Sequence, residues 1–210
     1  MAETTGSGGP GTAAEPPAAA APSIADPAPL GLAGFALTTF VLSCINANIV
    51  GVGTQSIVIG LALFYGGVVQ LLAGMWEFKN RNTFGALAFS SYGGFWLSFA
   101  AILIFYKPTG NPADAETAIG LYLLAWAIFT CYMIVPSLRV SGAVAGVFVF
   151  LTATFILLAI GALNPSENAT KIGGYLGIAT AAIAWYASFA GVTNATWKRV
   201  VLPTWPAGTR

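Results

Sequence analysis

Residues 27–76 carry no formal charge at all. Beyond them charges come in small clusters: Glu77, Lys79 and Arg81; Lys107, Asp114 and Glu116; Arg139; Glu167 and Lys171; Lys198 and Arg199. The stretches between clusters are apolar and reach the length a bilayer needs, about 20 helical residues. The pattern predicts six spans, at 30–50, 55–76, 83–106, 117–136, 141–162 and 172–195, none containing a charged side chain. A barrel strand would be about half as long and would alternate strictly, and alternation is absent. The expected fold is an all-α integral membrane protein with six transmembrane helices.

Turn residues fall between these spans. Gly51 and Gly53 mark a short uncharged connection, Lys107-Pro108-Thr109-Gly110-Asn111-Pro112 cannot continue a helix, Pro136-Ser137 ends the fourth span and Asn164-Pro165-Ser166 breaks the chain after the fifth. Trp76, Tyr106, Trp197 and Trp205 sit at or beyond span ends, where amphipathic rings favour the headgroup level. Residues 1–25, rich in Ala, Pro and Gly, lack a basic start and an apolar core; they read as a disordered tail and not as a signal peptide. The transport domain is then 26–203, followed by a C-terminal tail at 204–210.

An even number of spans places both termini on one side. That side holds Lys79, Arg81, Arg139, Lys198, Arg199 and Arg210, against Lys107 and Lys171 opposite. Basic residues collect in cytoplasmic loops, so both termini are expected in the cytoplasm and the protein in the plasma membrane.

Composition narrows the chemistry. Charged residues make up 7% and hydrophobic ones 57% of the chain, so it lacks the charged surface of a soluble domain. The net charge of +1 offers no field for nucleic acid. There is no histidine, which removes imidazole metal sites and His-activated nucleophiles. Cys44 and Cys131 lie far apart in apolar runs, and neither a disulfide framework nor a redox motif is indicated. The chain is not expected to be an enzyme or to hold a cofactor or metal.

Polar positions within the spans share helix faces. Phe35, Thr38, Leu42 and Asn46 line up on the first, and Gly67, Gln70, Gly74 and Glu77 on the second. Phe84, Ala88, Tyr92, Phe95 and Phe99 form an aromatic stripe on the third. By spacing alone that stripe reads as helix packing. Asn46 and Gln70 are costly in hydrocarbon and read equally as interhelical bonds or as pore lining. Gly66, Gly67, Gly93, Gly94, Gly142 and Gly146 read as points of close backbone approach. Glu77 reads first as a cytoplasmic helix-end charge near Lys79 and Arg81.

The run Asp26-Pro27-Ala28-Pro29-Leu30-Gly31-Leu32, with Phe35 three residues on, resembles the Asn-Pro-x-Pro-Leu-Gly-Leu signature of the acetate uptake transporters, the group that includes the bacterial succinate–acetate permease. Phe64-Tyr65-Gly66-Gly67, Gln70, Ala73-Gly74, Glu77, Asn82-Thr83-Phe84-Gly85, Ser91-Tyr92-Gly93-Gly94-Phe95-Trp96, Leu157-Leu158-Ala159-Ile160-Gly161 and Val201-Leu202-Pro203 continue the likeness in order, over residues 26–203. Asp26 stands where the family has Asn, which adds a charge near the pore mouth. The resemblance implies a six-helix protomer with its own central pathway, assembled as a homo-hexamer, that passes acetate and related short carboxylates, succinate among them. It also implies a hydrophobic constriction at Phe35, Tyr92 and Leu151. The substrate pathway expected from faces and motifs together is Phe35, Thr38, Leu42, Asn46, Gln70, Glu77, Tyr92 and Leu151.

An ionised carboxylate in a dry constriction faces a penalty of several kcal/mol even after relaxation. With no charged residue inside the spans, an intramembrane carboxylate or histidine relay is disfavoured. The expected mechanism is passage of acetate with its proton, or accompanied by one, through a pore gated by apolar side chains. A channel for neutral amides such as urea is the alternative, and a non-transporting membrane scaffold is a third reading.

Overall fold

The computed structural model describes residues 24–206. The expected tail over residues 1–25 and the end of the C-terminal tail lie largely outside them. Seven α-helices make six spans: α1 (Ala28–Asn46), α2 (Val58–Leu63) with α3 (Gln70–Lys79), α4 (Thr83–Phe105), α5 (Pro112–Ser137), α6 (Gly142–Leu163) and α7 (Glu167–Trp197). All six spans are long and apolar enough to cross a membrane, the second running Gly53–Lys79. The protein is an all-α, multi-pass membrane protein, and its one β-bridge among the described residues joins Ser141 to Pro206.

Polar side chains at the turns set the helix starts. Asp26 accepts from the Ala28 amide (2.9 Å) beside prolines that need no helical N–H partner. The side chains of Asn82, Asn111, Ser141 and Ser166 each accept an amide of the turn that follows and cap α4, α5, α6 and α7. These caps start α5 and α7 five residues before the apolar pattern does. α1 ends at Asn46, four residues short of the expected limit, and Asn48 turns the chain with φ of 58°.

The second span is not one regular helix. A six-residue π segment, Phe64–Val69, separates α2 from α3. A π turn holds one residue more than an α turn and so rotates everything after it by roughly 100° relative to an unbroken helix. Close crossings hold this segment in place. A Cβ on Gly66 would lie 2.6 Å from the Thr38 hydroxyl of α1, and one on Gly93 of α4 would lie 2.8 Å from the Leu71 amide nitrogen. Gly94 meets nothing within 4 Å, and Gly146 makes only ordinary contact with Ile183, so neither marks a close crossing.

The spans close into a ring. α5 packs on α6, α6 on α7, α7 on α1, α1 on the second span and α3 on α4. Between α4 and α5 the closure is made by side chains: Tyr92 to Thr130, Ser98 to Tyr122, and Phe95 against Trp126 with centroids 5.1 Å apart. The outer face carries large exposed apolar groups such as Leu121, Ile128, Phe189 and Val192, which suit lipid. Trp76, Tyr106, Trp197 and Trp205 are exposed at span ends.

Candidate functional site

Two cavities lie inside the ring. The larger, about 230 Å³, is bordered by the C-terminal halves of α1, α4 and α6 and the N-terminal half of α5. The smaller, about 60 Å³, lies among the opposite halves of α1, α4 and α6 and reaches Gln70. The cavities therefore occupy opposite halves of the bundle. Phe35 borders both, Leu151 the larger and Tyr92 the smaller. All three are at most 4% exposed and belong to one buried cluster.

The aromatic ring of Tyr92 is pinned. Its hydroxyl lies 2.9 Å from Thr130 Oγ1, and Thr130 donates its own proton to the Trp126 carbonyl at 2.7 Å, so Tyr92 donates. Phe35 and Phe129 lie 5.5 Å from the Tyr92 ring and Phe148 6.1 Å. The ring is thereby fixed within the buried apolar cluster that also holds Phe35 and Leu151. The stripe of α4 packs in the buried cluster and also borders the cavities: Phe84, Ala88 and Tyr92 the smaller, Phe95 and Phe99 the larger.

The larger cavity is apolar with scattered neutral polar groups, among them Thr39, Ser43, Asn46, Tyr122 and Thr154. Among the described residues no Asp, Glu, Lys or Arg borders either cavity. Of the α1 face expected from the sequence, Phe35, Leu42 and Asn46 reach this cavity. Thr38 does not. It donates to the Gly34 carbonyl at 2.9 Å and backs onto Gly66, so it serves the crossing of α1 and the π segment. Its place is taken by Thr39 and Ser43, a spacing of four that with Asn46 makes a hydroxyl-bearing face and was visible in the sequence. Trp96, which closes the Ser91–Trp96 motif, and Phe155 border the larger cavity as well, and nothing in the all-apolar stretch around Phe155 marks that residue.

Gln70 and Glu77 share the inner face of α3, at 1% and 0% exposure. Both amide atoms of Gln70 are without a hydrogen-bond partner among the described residues. Glu77 is not the solvated helix-end charge its position suggests. Lys79 and Arg81 are exposed, whereas the Glu77 carboxylate is covered and packs against Gly85, whose missing side chain makes its room. Its Oε2 accepts from Asn80 at 3.5 Å, and Oε1 has no partner. Glu77 borders neither cavity, while Asn82 beside it borders the smaller one. Among the described residues no group of three His, Cys, Asp or Glu could hold a metal ion.

Residues 9–208 match the GPR1/FUN34/yaaH family. The chain is 43% identical over 194 residues to acetate permease A of Emericella nidulans, covering 85% of this chain and 65% of that protein. It is 38% identical over 180 residues to the succinate-acetate/proton symporter SatP of Escherichia coli K12, covering 86% of this chain and 95% of that one. The solved structure of the bacterial acetate channel SatP superposes with a TM-score of 0.80 at 36% identity, over 87% of this chain and 99% of that chain. The chain spans between 62% and 65% of the length of three fungal relatives. Of these relatives, acetate permease A and SatP are named for carboxylates and one yeast relative is named for outward ammonia transport; the urea reading finds no support among them.

Proposed function

The chain belongs to the GPR1/FUN34/yaaH family, and from that premise we propose that it carries acetate and related short carboxylates, succinate among them, across the plasma membrane. The observation that supports this most is the pair of uncharged cavities in opposite halves of the ring, with Phe35 between them. The proposed pathway runs through Asn46 and Leu42 in the larger cavity, past Leu151, Phe35 and Tyr92, to Gln70 in the smaller. Glu77 lies behind its far end. Thr38 supports the wall from behind.

The uncharged lining favours a substrate that crosses with its proton. A carboxylate leaving the hydroxyls of the larger cavity meets only hydrocarbon and aromatic rings at the constriction, and no cation replaces its water. The neutral acid keeps only the smaller penalty of a polar group. Both termini are assigned to the cytoplasm on the distribution of basic residues, which puts the smaller cavity on the cytoplasmic side. Assembly as a hexamer is part of the proposal, supported by the family likeness and by the broad apolar outer face.

The test is uptake of labelled acetate into proteoliposomes at several external pH values, with protein-free vesicles subtracted. Uptake that rises as external pH falls is the expected result. No protein-dependent uptake at any pH would overturn the reading. Uptake flat in pH but steep in membrane potential would replace it with anion conduction.

A further inference from the structure

We propose that the Gln70 carboxamide selects the protonated form of the carboxylic acid in the smaller cavity, pairing with it through two parallel hydrogen bonds. The inference rests on the transport reading above and names the chemical form that reading must use at this point.

The argument starts from a buried polar group without partners. A glutamine side chain offers one acceptor, Oε1, and two donors on Nε2. At 1% exposure, Gln70 is shielded from water at both ends, and among the described residues neither amide atom has a hydrogen-bond partner. Such groups are rare because each unmade hydrogen bond is expensive, so each calls for a reason. Nothing about the fold of α3 requires an amide here. The side chain's base packs 3.7 Å from where a Cβ on Gly34 would lie, and an apolar residue of the same length would fill that space equally well. The π segment that ends at Val69 sets the rotation of α3 and turns Gln70 toward the pathway.

The neighbours leave the amide free for a solute. Around the same cavity the polar side chains are Asn82 and Tyr92. Asn82 is engaged in capping α4 through the Gly85 amide, and Tyr92 is engaged with Thr130. The titratable groups on the surrounding elements are Tyr92 on α4, Glu77 on the same helix and Asp26 at the foot of α1, with the cations Lys79, Arg81 and Arg139 at the adjoining helix ends and loops. These three cations are exposed, and among the described residues no cation borders the cavity.

Complementarity then separates the two forms of the solute. A carboxylate only accepts, so it would satisfy Nε2 and set its negative charge against Oε1 with no counter-charge nearby. A protonated carboxyl has one O–H donor and one C=O acceptor, and it satisfies Oε1 and Nε2 together. The cavity beside Gln70 is small, about 60 Å³, so it suits only a solute of a few heavy atoms. By the same pairing, a small primary amide such as acetamide should occupy the site, and a permanent anion of similar size such as methanesulfonate should not.

The experiment uses the full-length wild-type chain in proteoliposomes and reads inhibition of labelled-acetate uptake. Acetamide should inhibit with a strength independent of pH, and methanesulfonate should not inhibit. The half-inhibitory total concentration of unlabelled acetate should rise about tenfold per pH unit above the acid's own pKa, as the protonated fraction falls. Inhibition by methanesulfonate, failure of acetamide, or an acetate constant flat in pH would each overturn the assignment while leaving transport intact. Absence of wild-type uptake would instead remove the transport reading itself. Gln70→Leu adds the residue-level arm: losing two hydrogen bonds should lower uptake at limiting acetate about tenfold and abolish acetamide inhibition. A folded Gln70→Leu protein that keeps both would place recognition elsewhere.

Discussion

Replacing Phe35 by alanine tests whether the constriction is a gate or a piece of core. Phe35 is 4% exposed, and its ring stands 5.5 Å from that of Tyr92 between spaces of about 230 and 60 Å³. In a dry, closed core, Phe→Ala costs about 3–5 kcal/mol, part of it from the void at about 24 cal/mol per Å³. Here the vacated space opens onto a cavity on either side, so water can enter and much of the void contribution is relieved. The remaining loss is the aromatic contact, about 0.5–1.5 kcal/mol, together with part of the transfer of the ring from water. We therefore expect a destabilisation of about 1–3 kcal/mol, below the usual range for a buried phenylalanine. The same merging wets the narrow point and lowers the barrier, and each 1.4 kcal/mol of barrier is about tenfold in flux. The bulkier, more polar solute gains most, so the succinate-to-acetate flux ratio should rise by about tenfold. Leu151→Ala should shift it less, because Leu151 borders only the larger cavity. The assay is paired uptake of the two labelled acids, normalised to folded protein by size-exclusion recovery. An unchanged ratio in both variants, with the full core penalty in stability, would refute the reasoning and leave both residues as packing.

Three further outcomes follow from the geometry. Gly93→Val should destabilise by more than about 3 kcal/mol or abolish folding, since its side chain would meet the Leu71 backbone, whereas Gly94→Val should fall within about 1 kcal/mol of wild type, as thermal unfolding in detergent will measure. Asn194→Ala should loosen the C-terminal segment, because Asn194 accepts from the Val201 and Leu202 amides and donates to the Leu202 carbonyl; a loss of about 1–3 kcal/mol and faster proteolysis after Trp197 are expected, and protease resistance equal to wild type would count against it. A cysteine at Asn80, in a background without Cys44 and Cys131, should resist an impermeant thiol reagent added outside intact cells while one at Thr109 reacts, and the reverse pattern would invert the assigned topology.

Much of the architecture could be read in one dimension, for a physical reason. The cost of a charge in hydrocarbon is local, and bilayer thickness sets a length, so the gaps between charge clusters mark the six spans without reference to folding. Turn and cap chemistry is local too, which is why Asn111 and Ser166 carry the information for the starts of α5 and α7 even though the apolar pattern begins later. Rotation of each helix is another matter. When lipid and core are both apolar, no period separates the inner face from the outer, and residue spacing names a face without saying where it points. Spacing puts Phe35 and Tyr92 on helix faces, but the expectation that they meet Leu151 at a constriction rests on the family likeness and not on periodicity. Only packing decided that Thr39 and not Thr38 faces the larger cavity, through the glycine crossing at Gly66 that draws Thr38 away. Only packing inserted the π segment that turns Gln70 inward, and only packing covered Glu77, one turn from lysine and arginine side chains that stay in water. These are outcomes of how helices meet across the ring, where contacts between residues far apart in the chain outweigh any preference of a single segment.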